Sequence, residues 1–229
     1  MADIVPIGIG YYTIPEASRL LSIPSINIRR WLGGYSFRKG TRVHHMDPLW
    51  EPQLPKLNGH IELGFRDLIE LRFVQAFIEA GLNLLTIRNC LNYARECVDD
   101  PHPFSTRRFQ TDGKTIFLDS AERAEDNQLL DLKKRQYVIK RVIERSFKDL
   151  DIENDAVSRW RPFKGKSSIV IDPERAFGQP MVAKYGVPTV VLSQAVLAEG
   201  SVSTVARLYE VSVSVIRDAV AYEKSLLAA

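Results

Sequence analysis

The chain has 229 residues, 45% of them apolar and 26% charged, with a formal net charge of +3. This balance excludes a disordered or low-complexity chain and leaves room for one large folded domain or a few small ones. No apolar run approaches the roughly 18 residues that a membrane helix needs, and MADIVPIGIG lacks the basic flank and apolar core of a secretory signal, so a cytoplasmic protein without membrane attachment is expected.

Charge is unevenly spread. From Met1 to His60 seven Lys or Arg stand against four Asp or Glu. From Lys133 to Lys148 seven stand against Glu144 alone, and from Lys184 onward the signs balance at four each. The basic residues of the first two thirds fit a polyanionic partner, because phosphate binding draws its affinity from released counterions.

Residues 11–33, YYTIPEASRLLSIPSINIRRWLG, predict two short helices. Thr13 with Glu16 is a capping-box pair, and Pro15 sits in the first turn, where its missing donor costs nothing. Ile14, Ala17, Leu20 and Leu21 share one face. Ser22-Ile23-Pro24 breaks the chain. A second helix then runs from near Ser25 to Leu32, closed by Gly33-Gly34, with Ile28, Trp31 and Leu32 inward and Ser25, Asn27, Arg29 and Arg30 outward. Two short helices joined by a tight turn form a helix-turn-helix, whose second helix enters the major groove. Asn suits an adenine edge and Arg a guanine edge. A plain helical hairpin with solvated arginines fits the same residues.

Residues 34–63 are rich in Gly and Pro and carry Arg38, Lys39 and Arg42, the pattern of a loop or a short β-wing set against phosphates. Next, LGFRDLIELRFVQAFIEAGLNLLTIRNCLNYAREC predicts a helix over about 65–80, a break at Gly81 with Asn83 as the next N-cap, and a helix to about Val98. Cys90 and Cys97 share that second helix. Seven residues at about 1.5 Å rise put them about 10 Å apart, too far for a disulfide. His44, His45, His60 and His102 show no metal-ligand spacing with them, and no metal or cofactor is expected.

On these residues the N-terminal part resembles the MerR family. YTIPEASRLLSIPSINIRRWL is similar to its winged helix-turn-helix. The helix pair around Ile69 to Glu96, with its Ala80-Gly81-Leu82-Asn83 break, is similar to the helices that succeed the wing in that family. The resemblance covers roughly residues 11–98.

Residues 103–118 predict a β-hairpin turning at Asp112-Gly113. Residues 121–150 predict one long helix. Its apolar stripe is Leu129, Leu132, Ile139, Val142, Ile143 and Phe147, and Lys133, Lys134, Lys140, Arg141, Arg145 and Lys148 lie on its other faces. Such a helix serves either a dimer or packing within its own chain. Residues 151–167 look like a polar, irregular linker. A short strand over Ser168–Ile171 and three helices near 189–199, 202–209 and 213–226 complete the chain. Gly200 ends the first of these, and Ser201 and Ser212 are placed as N-caps of the next two.

This last region resembles a small bacterial helical domain of the VapB-type antitoxins. The pattern is Ile171-Asp172-Pro173, Phe177-Gly178 with Pro180, Gly186-Val187-Pro188, Gly200-Ser201, Tyr209 and Ala219-Val220-Ala221-Tyr222. The resemblance implies a helix-turn-helix over Val202 to Tyr222 and a PIN-like ribonuclease toxin as partner.

The expected fold is therefore mainly α with a small β component. It comprises a winged helix-turn-helix domain over 1–100, a β-hairpin, long helix and linker over 101–167, and an antitoxin-like helical domain over 168–229. The expected function is a DNA-binding autorepressor and antitoxin, a homodimer on operator DNA. Ser25, Asn27 and Arg30 would contact or approach bases, and Arg29, Arg38, Lys39 and Arg42 would hold phosphates. The alternative is a MerR-like effector-responsive regulator. Carboxylates are scattered, no Ser/His/Asp or Cys/His arrangement is visible, and GIG at 8–10 lacks a phosphate-loop context, so the chain does not read as an enzyme.

Overall fold

The computed structural model describes residues 8–124 and 136–227, with the backbone alone at Lys39. The chain opens on strand β1 (Tyr12–Thr13), whose last residue caps helix α1 (Ile14–Leu21). The Thr13 hydroxyl accepts from the Glu16 N–H, and the Glu16 carboxylate accepts from the Thr13 N–H at 2.8 Å, the reciprocal pair the sequence predicts. Ser22 stops α1 in the left-handed region at φ 56°. Ile23 drops into the core, held by its carbonyl on the Ser18 hydroxyl. Helix α2 (Ser25–Gly33) comes next, then an antiparallel hairpin of β2 (Tyr35–Lys39) and β3 (Arg42–Met46), and a short strand β4 (Glu62–Leu63) that pairs with β1.

Helix α3 (Phe65–Glu79) is buried on most sides, and α4 (Leu84–Val98) starts on the Asn83 cap expected for it. Three expectations fail beyond this point. Residues 103–118 are no β-hairpin: Thr106 caps helix α5 (Arg107–Arg123), and Asp112-Gly113 lies in mid-helix. The reason is tertiary. Gly113 is buried where α5 meets a later helix, and a Cβ there would sit 3.1 Å from Ile143 and 3.2 Å from the Phe109 ring. The glycine marks close helix approach rather than a turn.

The predicted long helix over 121–150 is also revised. Helix α5 ends at Arg123, and α6 (Gln136–Phe147) carries the later part of the stripe. The predictions at Leu129, Leu132, Lys133 and Lys134 fall outside the described residues. Ile139, Ile143 and Phe147 are buried in the same core as α3 and α5, so this face is used inside its own chain.

The expected linker holds the hairpin that sequence reasoning misplaced. Strands β5 (Leu150–Glu153) and β6 (Ala156–Trp160) pair antiparallel around Asn154-Asp155, both at positive φ (49° and 63°). That is the geometry of a two-residue type I′ turn. Val157 and Trp160 anchor the hairpin in the core. Strands β7 (Ile169–Val170) and β8 (Met181–Val182) form a further pair. Helices α7 (Thr189–Glu199), α8 (Val202–Leu208) and α9 (Val213–Leu227) close the chain as predicted, with Gly200 left-handed after α7 and the Ser201 hydroxyl capping α8. At Ser212 it is the backbone carbonyl that accepts the first N–H bonds of α9, from Val215 and Ile216.

The molecule is mainly helical, with four two-stranded antiparallel sheets among the described residues. One apolar core runs from Tyr12 to Ile171, and a smaller one joins Val182, Leu192, Val205, Val211, Ile216 and Ala219. No helix among the described residues is long and apolar enough to cross a membrane.

Candidate nucleic-acid interface

The face that could meet a duplex is built by α2 and the β2–β3 hairpin. Ile28, Trp31 and Leu32 pin the inner side of α2 into the core. A helix anchored along one side in this way must present the residues between the anchors on the other. Arg29 and Arg30 are accordingly exposed, and Ser25 and Asn27 are half-buried at the helix start. The Asn27 side chain makes no hydrogen bond among the described residues, so both its amide groups are available. Ile26 lies between them with 52% of its surface open.

The hairpin continues this face. Its register sets Arg38 opposite Val43 and Lys39 opposite Arg42, with Gly40-Thr41 at the tip. The side chains of Arg38 and Arg42 are exposed; that of Lys39 lies outside the description. Phe37 stacks on His44 across the two strands at 5.3 Å, which stiffens the ribbon. The Arg30 guanidinium lies 5.7 Å from the centroid of the Tyr35 ring, so helix and hairpin base are joined by a cation–π contact. The structure thus brings Ser25, Asn27, Arg29 and Arg30 onto one helix and Arg38 and Arg42 onto the adjoining ribbon.

Among the described residues these arginines have no acidic partners and are gathered on one helix and its adjoining hairpin; Arg141, Arg145, Arg207 and Arg217, on other elements, are likewise exposed without an acidic partner. Among the described residues none of Arg29, Arg30, Arg38 and Arg42 pairs with a carboxylate. Elsewhere, Arg66 binds Asp100 and the His102 carbonyl, Arg72 binds Asp149 and the Ser146 carbonyl, and Arg159 binds Asp172. A guanidinium already bidentate to protein has little left for phosphate; an exposed, unpaired one keeps its full fork of donors.

Sequence reasoning missed three neighbours of this face. Ile26 offers an apolar contact beside Asn27, and His44 and His45 share β3 with Arg42. A strict inside–outside reading of α2 would have found Ile26, since two positions, about 200° around the helix, separate it from the inward Ile28. The histidines gave no signal until the hairpin register was known. Among the described residues no group of three or more His, Cys, Asp or Glu is placed to hold a metal ion.

The C-terminal helices offer a different surface. The outer side of α9 shows Ser212, Ser214, Arg217, Ala221 and Lys224, and the neighbouring helices α7 and α8 expose Leu197 and Leu208. It is sparse in charge and richer in apolar side chains.

Over most of its length the chain is related to a VapB-type antitoxin. That relative is the Mycobacterium tuberculosis H37Rv protein named "Putative antitoxin VapB45", 29% identical over an alignment of 219 residues, with 91% of each chain covered. The fold is similar to the crystal structure of Rv2018 from Mycobacterium tuberculosis, with 27% sequence identity and a TM-score of 0.73 over 94% of this chain and 99% of that one. No protein-family model matches the chain.

Proposed function

We propose that this protein is the antitoxin of a toxin–antitoxin pair and represses its own operon by binding operator DNA as a homodimer. The antitoxin reading is supported by the Mycobacterium tuberculosis relative. The DNA-binding reading is carried by one observation: four exposed arginines, unpaired with acid, gathered on α2 and the β2–β3 hairpin beside an uncommitted asparagine. In this reading α2 enters the major groove. Ser25, Asn27 and Arg30 approach base edges, while Arg29, Arg38, Lys39 and Arg42 hold the backbone. A dimer is required on physical grounds, since one such helix reads only a few base pairs and two copies about one helical turn apart read a palindrome. The partner neutralised would be a PIN-like ribonuclease toxin, which fits the sparsely charged, partly apolar surface of the C-terminal helices better than the basic N-terminal face.

Fluorescence anisotropy with duplexes from the gene's own upstream region tests the DNA half. Arg30→Ala should lower discrimination between operator and scrambled DNA by about 1–3 kcal/mol. Arg38→Ala and Arg42→Ala should weaken all sequences alike and each reduce the salt slope by about one. If all three variants bind like the parent chain, this face is not the DNA site. Co-expression with a neighbouring PIN-like nuclease tests the other half: growth arrest by the nuclease should be relieved by this chain, and arrest that persists would remove the partner assignment.

A further inference from the structure

The N- and C-terminal parts of the chain meet at a built contact. The Tyr12 hydroxyl donates to the Gly178 carbonyl at 2.7 Å, and the Tyr11 N–H donates to the Phe177 carbonyl at 3.1 Å. Gly178, at φ 78°, passes so close to Tyr12 that a Cβ there would lie 2.2 Å from the hydroxyl oxygen, so only glycine fits. Above this contact lies a half-open cavity of about 630 Å³ between α1 and α9. That is the size of a site for a small organic ligand.

Three features of its wall are unexplained by folding alone. First, Ala176 and Phe177 are consecutive non-glycine residues in the left-handed region (φ 48° and 53°), a costly conformation for a bulky side chain. Yet the strain does not bury the Phe177 ring, which lines the cavity with 76% of its surface exposed. Second, two carboxylates line the space. Glu16 uses Oε2 on Thr13, and Glu223 uses Oε1 on the Thr189 hydroxyl at 2.5 Å. The second oxygen of each accepts no hydrogen bond among the described residues. Third, Leu20, Leu57, Val190 and Leu226 supply an apolar wall. Among the described residues Arg19 is the one cation on the lining, against two acids. Behind the wall the Tyr222 hydroxyl is buried with no hydrogen-bond partner among the described residues. Burial pushes its pKa up, Glu223 adds to this and Arg19 opposes it, which places the phenol within the field of the same charged groups.

We propose that this cavity binds a small amphiphilic organic cation, its charged head on the free oxygens of Glu16 and Glu223 and its apolar body against Leu20, Val190 and the Phe177 ring. Carboxylates that have one oxygen fixed by the fold and the other free are oriented in advance, so a cationic head group meets them without further ordering cost. Because α1 leads directly into α2 through the Ser22–Pro24 turn, a ligand bridging α1 and α9 also holds the DNA module against the C-terminal helices. That coupling rests on the DNA-binding reading above; the binding site itself does not.

Calorimetry on the full chain with three probes of one shape, 4-butylbenzylammonium, 4-butylbenzamide and 4-butylbenzoate, tests the site. The ammonium should bind about tenfold more tightly than the amide, as one charge-assisted pair is worth, and the benzoate most weakly. Glu223→Gln keeps the acceptor for Thr189 and should cost the ammonium about that tenfold while leaving the amide unchanged. Val190→Trp, at a partly exposed position, should weaken ammonium and amide together by filling the space. Absent binding of all three probes, equal binding of all three, tightest binding of the benzoate, or an ammonium affinity indifferent to Glu223→Gln would each overturn the proposal. Saturating ammonium should also shift operator affinity. A chain that takes up the ammonium but never binds operator removes the DNA reading and leaves the cavity assignment standing.

Discussion

The N-terminal unit and the central bundle use the same residue type for opposite ends. In the bundle, Arg66 and Arg72 are fastened to acids and to backbone carbonyls. Arg66 reaches Asp100, Ser105 and the His102 carbonyl, and Arg72 reaches Asp149 and lies 5.3 Å from the centroid of the Trp160 ring. Asp67, fully buried, accepts from the Trp50 indole, from the Gln53 and Gly64 backbone N–H groups, and pairs with His102 at 2.9 Å. On α2 and the β2–β3 hairpin the arginines stand exposed with no acid among the described residues to answer them. Charge that is paired holds a fold together; charge that is left open is available to something outside it. Paired arginines of the bundle hold the fold, the open ones on α2 and the hairpin are those proposed above for recognition, and experiment can break this division.

The largest effect should come from Asp67→Ala. The change strands the Trp50 N–H, two backbone N–H groups and His102 in the interior. Stability should fall by about 3–5 kcal/mol, read as the urea midpoint. A loss under about 1 kcal/mol would show that the network is not what holds the hairpin exit to α3.

Next in size is a pH effect at Glu70. Burial raises its carboxyl to about 7, against the lowering influence of His102, Arg66 and the Ser105 hydrogen bonds. The folded state therefore keeps a proton that the unfolded chain has released. Between the ordinary glutamate value and about pH 7 folding is proton-linked, and stability falls as pH rises, levelling above the folded value. Glu70→Gln should flatten this part of the stability–pH curve, by an amount on the order of 3 kcal/mol across the window. Parallel curves for the two proteins would remove Glu70 as the cause.

Arg72→Met should cost about 1–2 kcal/mol, since it releases the half-buried Asp149 and the Ser146 carbonyl while leaving the aliphatic stem. The same variant should bind DNA as the parent does. Arg30→Ala is the mirror case and the smallest in stability. Thermal unfolding should change by less than about 0.5 kcal/mol, because the substitution removes a single cation–π interaction with Tyr35, while operator discrimination drops. If Arg30→Ala destabilises as much as Arg72→Met, the division between paired and open arginines does not hold.

Wherever local chemistry sufficed, the amino-acid sequence determined the outcome. The Thr13–Glu16 box, the Gly81 and Asn83 boundary, Gly200 with Ser201, and the three closing helices were all legible, because caps and left-handed glycines act within a few residues of themselves. So was the outward face of α2, set by the period of Ile28, Trp31 and Leu32. Only the tertiary structure decided the middle of the chain. Asp112-Gly113 carries a strong turn signal, yet Gly113 is there to let α5 approach Ile143, and packing outweighs a local preference of about 1 kcal/mol. The true turn at Asn154-Asp155 was hidden in a polar stretch, since the residues that pin its hairpin, Val157 and Trp160, find their partners far away in sequence. The open state of the four arginines and the cavity between α1 and α9 were beyond sequence reading for the same reason: whether a charge is paired or a space is left depends on groups distant in sequence, which only the folded chain brings together.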